Sequence, residues 1–148
     1  MKTPLPKGLD LLALAISGPL AAIAQPLPGE HPGYLHALTD LRAARWLLYH
    51  QPGDVRVSAS EDVAIVEIDK AIGEIKLAAI DDGKNLNDHP AVDANEHGSK
   101  LLRSIETLRK ARADISGEEE NPGARGLRHR AHDHIDRAIG AAEKAHAD

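Results

Sequence analysis

The chain has 148 residues, with 18 basic and 23 acidic side chains, a formal net charge of −5, nine histidines, no cysteine, one tryptophan, two tyrosines and no phenylalanine. That length fits one domain able to bury a core without covalent staples. The missing cysteine excludes disulfides, thiol catalysis, iron–sulfur clusters and cysteine-based zinc sites, and an acidic chain so poor in aromatics lacks the basic stripe and stacking platform of a nucleic-acid binder.

Residues 1–24 read as a secretory signal peptide. Lys2 and Lys7 precede an apolar run from Leu11 to Ala24, which is interrupted at Ser17-Gly18-Pro19 and ends in Ala22-Ile23-Ala24, a small-x-small cleavage pattern. The run is too short and broken to span a bilayer, so no stable membrane insertion is expected after cleavage. Asp10 is the discordant residue. Cleavage leaves 16 basic and 22 acidic residues, a net charge of −6, and places the mature chain in the periplasm or outside the cell. All nine histidines remain, so the surface field depends strongly on mild acidification. The only methionine is Met1, so a mature thioether ligand for haem or copper(I) is absent.

Residues 25–32 (QPLPGEHP) hold three prolines and read as an extended lead-in. A first helix over about 33–50 carries Tyr34, Ala37, Leu38, Leu41, Ala44, Arg45 and Leu48 on one stripe. A second, over about 58–82, opens on the capping box Ser58-Ala59-Ser60-Glu61, and its stripe is Ala64, Ile68, Ala71, Ile72, Ile75, Ala78 and Ala79. Gly83 is its expected left-handed terminator. A third helix, over about 93–115, opens on Asp93-Ala94-Asn95-Glu96 and runs through Leu101, Leu102, Ile105, Leu108 and Arg112. Asn121-Pro122 caps a fourth, over about 122–146, with Leu127, Arg128, Ala131, Ile135, Ala138, Ile139 and Ala142 on its stripe.

One period links these elements. Ile68-Asp69-Lys70-Ala71-Ile72-Gly73 returns as Ile135-Asp136-Arg137-Ala138-Ile139-Gly140, 67 positions on, and the same offset aligns residues 38–45 with 105–112. The chain therefore reads as a helical hairpin written twice, closing into an all-α, antiparallel, up-down-up-down four-helix bundle with a pseudo-twofold axis. Two further expectations follow. Gly73 and Gly140 should mark close helix crossings, and Arg45/Asp69 with Arg112/Asp136 should form two equivalent ion pairs.

Histidine is the residue type in excess. The predicted topology gathers His50, Asp62, His129, His132 and Asp133 at one pole. The other pole receives His31, His36, Asp81, Asp82, His89, His97 and His146. His129, His132 and Asp136 fall within about 60° on a helical wheel and could offer two nitrogens and an oxygen to one Zn, Cu or Ni ion. His50 would join them from the first helix, and His36 with Asp40 forms a second pair. The plainer reading makes these histidines ordinary polar-face residues. A ferritin-like di-iron site needs two Glu-x-x-His motifs, and only Glu143-x-x-His146 occurs. Carboxylate-pair, nucleophile and phosphate-loop motifs are absent too.

With residues 128–146 (RHRAHDHIDRAIGAAEKAH) on the last helix, the chain resembles the small His-rich metal-binding four-helix bundles of the bacterial periplasm. Those proteins carry histidine on every helix, whereas the second helix here has none. The stretch DDGKNLNDHP (81–90) resembles that of a bacterial exported family, which implies export and no particular activity. The expected function is therefore non-enzymatic, weak transition-metal binding at the bundle ends. The alternative is a structural or protein-interaction module, with a protein partner or a homo-oligomer, for which an exposed Trp46 would speak.

Overall fold

The computed structural model describes residues 33–50, 57–90 and 99–148. Among them the chain is all-helical, in four helices: α1 (Gly33–Tyr49), α2 (Ala59–Asp81), α3 (Lys100–Asp114) and α4 (Pro122–Ala147). The expected signal peptide, lead-in and Asp93 capping box lie outside the described residues.

Local chemistry sets the helix ends. Ser58 and Glu61 form the expected reciprocal capping box, with Ser58 N donating to Glu61 Oε2 at 2.7 Å and Glu61 N donating to Ser58 Oγ at 3.2 Å. Gly83, at φ 69°, ends α2, with Gly83 N bonded to Ile80 O at 3.0 Å and Lys84 N to Ala79 O at 2.8 Å. Those two bonds satisfy carbonyls that the last helical turn leaves open. Asn121 caps α4 through its side chain, and Pro122 takes the first-turn position where no amide is needed. The third helix departs from expectation, since its cap is Ser99, whose Oγ accepts from Leu102 N, and helix begins only at Lys100.

The buried residues follow the predicted stripes closely. Leu38, Leu41, Ala44 and Leu48 of α1 face Ile105, Leu108, Ala111 and Ile115 of α3 and its end, and Ala64, Ile68, Ala71 and Ile75 of α2 face Ala131, Ile135, Ala138 and Ala142 of α4. Each residue in the first set lies 67 positions before a buried counterpart. Alanine dominates the α2/α4 seam, where small side chains let two helix axes come close.

Helix order differs from the up-down-up-down expectation. Asn121 Nδ2 donates to Asp81 O at 3.2 Å, so the end of α2 meets the start of α4. Tyr34 hydroxyl donates to Glu119, and Gly33 abuts the backbone of Asp114, so the start of α1 meets the end of α3. At the far end, Lys100 Nζ donates to His50 O. The start of α1, end of α2, end of α3 and start of α4 thus share one end, and the helices run up, down, down, up. Every contacting pair, α1 with α2 and α3, and α4 with α2 and α3, is antiparallel. The end of α2 and the start of α3 therefore lie at opposite ends of the bundle, and His89, in the described part of the connection, lines a groove with Thr39, Arg42 and Ala43 of α1. Eighteen residues separate α2 from α3, chain enough to span that distance.

The glycine expectation is also corrected. A β-carbon at Gly73 or Gly140 would meet nothing within 4 Å, because both lie on exposed faces. The close approach is at Gly33, where a β-carbon would overlap the Asp114 carbonyl oxygen and sit 2.8 Å from its carbon.

Candidate functional site

The predicted metal ligands are dispersed by the helix order. His50 ends α1 at one end of the bundle, with its ring stacked on Trp46 (centroids 4.4 Å apart) and its Nδ1 2.9 Å from Trp46 O. His129 and His132 lie toward the other end, lining a groove with Ser116 and Arg128. The pole that was to join His50 to His129 and His132 does not form, because it required α3 to end where α1 ends.

Within α4, the trio His129, His132 and Asp136 splits. His132 Nδ1 lies 3.6 Å from Asp136 Oδ2, while exposed His129 turns to Asp133 at 3.8 Å. Asp136 is held chiefly by Arg112, through a short bond from Nε and a second from Nη2 at 3.3 Å. Arg112 also holds the Asp136 carboxyl below the usual carboxylate range, more than burial raises it. On α1, Asp40 is buried and His36 half-buried. Among the described residues no group of three or more His, Asp or Glu side chains is placed to hold a metal ion.

The two expected ion pairs are present. Arg45 Nε donates to Asp69 Oδ1 at 2.6 Å across α1/α2, and Arg112 donates to Asp136 across α3/α4, each pair 24 positions apart. All four side chains are close to half exposed, so each pair is worth at most about 1 kcal/mol and serves mainly to set helix register.

A charged cluster around one buried carboxylate was not read from sequence. Glu67 of α2, only 8% exposed, receives Lys70 Nζ at 2.7 Å and Arg137 Nε at 2.9 Å, and its Oε2 lies 2.6 Å from His134 Nδ1. Burial alone would raise its carboxyl. The hydrogen bonds from Lys70, His134 and Arg137 outweigh that and hold it down to about 2. Glu67 and His134 are themselves 67 positions apart, so each occupies its partner's place in the repeat. A search for residues that meet their own counterpart would have found them. Nearby, Glu74 accepts both Arg130 Nε at 3.0 Å and Arg130 Nη2 at 2.9 Å. A buried carboxylate held by three cationic or imidazole partners is committed to structure, since leaving Glu67 unpaired would be costly.

At the other contact of note, the buried Tyr34 hydroxyl donates to buried Glu119, whose Oε1 also accepts Asn121 N at 2.9 Å. Burial first, and the Glu119 carboxylate second, push the phenol well above its ordinary value. This pair fastens the start of α1 to the loop before α4.

No family model matches the chain, and no curated protein or solved structure does either.

Exposed apolar side chains remain. Trp46 is 53% exposed, but Leu47 and Leu48 beside it are buried, and its ring is taken up by His50 and by Lys100 Nζ, 5.2 Å from its centroid. Trp46 is thus exposed, as the interaction reading expects, with Tyr49 exposed beside it. A longer outward apolar stripe lies on α2, where Val63, Val66, Leu77 and Ile80 are each 51–55% exposed. The α4 positions 67 residues on are Arg130, Asp133, Lys144 and Ala147. A second, outward apolar stripe on helix two was legible as Val63, Val66, Leu77 and Ile80 once the inward stripe was removed.

Proposed function

We propose that this protein is an exported, non-enzymatic helical bundle, a duplicated hairpin in origin, that works as a protein-interaction module through the outer face of α2. The observation that carries this is the contrast between two helices in equivalent places. Where α4 presents charge to solvent, α2 presents four large aliphatic side chains, and half-exposed aliphatics gathered in a line mark contact surfaces more often than idle ones. Export rests on residues 1–24, with their basic start, apolar run and small-x-small end.

A photo-crosslinking residue placed at Leu77, compared with one at Lys144, tests the reading in cells producing the full chain. Adducts at 77 that peptide sequencing assigns to one protein, with none at 144, support it. Equal labelling at both sites, or none at 77, defeats it.

Weak binding of Zn, Cu or Ni stands as a second reading, favoured by the 3.6 Å approach of His132 to Asp136 one helical turn apart. Arg112 competes for that carboxylate, so affinity should be low. Calorimetric titration decides it, since His132→Ala must abolish any saturable heat if the pair is the ligand.

A further inference from the structure

We infer that the partner of the α2 face is a second copy of this chain, docked antiparallel on the same stripe. This rests on the interaction reading above and adds the occupant and its register. The stripe is Val63, Val66, Lys70, Gly73, Leu77 and Ile80, all exposed, with steps of 3, 4, 3, 4 and 3 residues. This is the 3.5-residue repeat of a helix that pairs with another helix, and it reads the same from either end. Turned about a twofold axis between positions 71 and 72, it sets Val63 against the second copy's Ile80, Val66 against Leu77 and Lys70 against Gly73.

The middle layer explains two residues that otherwise spoil an apolar face. Gly73 has nothing within 4 Å of a β-carbon position, so it is an open notch, and the long stem of Lys70 is the side chain set opposite it. The Lys70 ammonium is already bonded to Glu67 at 2.7 Å, so pairing buries no free charge there.

Charge along the flanks agrees with the same direction. On one flank, Asp69 and Lys76 lie so that an antiparallel copy brings Lys76 toward Asp69 on both sides of the axis, where Arg45 already touches that carboxylate. On the other flank, Glu67 and Glu74, which would otherwise repel across the axis, are neutralised by Arg137 and Arg130 of α4. A parallel pair would instead set Asp69 beside Glu74 of the second copy, carboxylate against carboxylate. The equivalent α4 face, with Arg130, Asp133, Arg137 and Lys144, could not form such a seam. One helix pair makes an interface at the small end of the specific range, so the dimer should be reversible, with Kd on the order of 10 µM.

The chain has no cysteine, which allows directional trapping. Full-length Val66→Cys and Leu77→Cys variants are mixed and treated with a short bismaleimide, alongside each variant alone. The antiparallel register predicts a covalent dimer in the mixture and little in either separate sample, because identical positions at 66 lie roughly 16 Å apart along the axis at 1.5 Å per residue. Sedimentation should show a concentration-dependent dimer, and Val66→Glu should raise Kd at least tenfold without lowering Tm. Self-linking of Val66→Cys alone means a parallel pair and overturns the inference while leaving α2 an interaction face. A monomer at several hundred micromolar with no linking overturns it outright. In the photo-crosslinking experiment, an adduct to a different protein sinks the self-pairing and spares the interaction module.

Discussion

Replacing Gly33 by alanine is expected to cost about 3 kcal/mol and to lower Tm by about 10 °C, although the residue begins a helix and alanine is the better helix former. The added β-carbon would overlap the carbonyl oxygen of Asp114 and lie 2.8 Å from its carbon. Both are backbone atoms at the end of α3, so no rotamer change relieves the clash, and the α1/α3 pair must separate at that end. Separation there would also pull Tyr34 from Glu119. Urea unfolding of the two forms measures the effect. Gly140→Ala is the control, since its new methyl meets nothing within 4 Å and its gain from helix propensity should be about 0.5–1 kcal/mol. Equal stability of wild type and Gly33→Ala would mean that α1 does not start against α3.

Acid should weaken the fold through Glu67. Its carboxyl titrates at about 2 in the folded protein, against 4.5 for the ordinary group. The folded state therefore holds fewer protons between those values, and stability contributed by this residue is complete above about pH 5, declines as pH falls through 4.5, and is gone below about 2. The displacement would be worth about 3 kcal/mol if all of it reached stability. Because Lys70 and Arg137 are half exposed and partly screened, about 2 kcal/mol is the expected share. Glu67→Gln, which keeps the shape and removes the charge, should be less stable by that amount at pH 7 and indistinguishable from wild type at pH 2. A gap that stays constant from pH 7 to pH 3 would show that shape, not ionisation, matters at this position.

Much of the architecture was legible because the signals were local or repeated. Inward stripes at helical spacing identified the buried faces, the Ser58/Glu61 box and Gly83 bounded α2, and the 67-residue offset picked out both Arg–Asp pairs. Helix direction was not legible, because it depends on whether the α2–α3 connection turns or travels, and polar residues such as Lys84, Asn85 and Asn87 suit either course. That one ambiguity undid the proposed histidine poles. His50 and His129 were assigned to one end only through the assumed direction of α3. Glu67 was overlooked for a related reason, since its three partners come partly from another helix and no spacing within α2 announces them. Gly73 and Gly140 were read as close helix crossings, yet both lie on exposed faces. A glycine on a helix records only the missing side chain, and the neighbour that profits can lie in another molecule.

The distance from the end of α2 to the start of α3 decides how the chain can be cut or joined. Fully extended, the connection's 18 residues could reach about 60 Å, more than twice the length of α3, so insertions near His89 should leave the fold intact. Trimmed below about eight residues, it could no longer bridge the ends, yet each hairpin would keep the face it shows to the other. Two shortened chains would then exchange halves, building the same bundle twice from interlocked polypeptides.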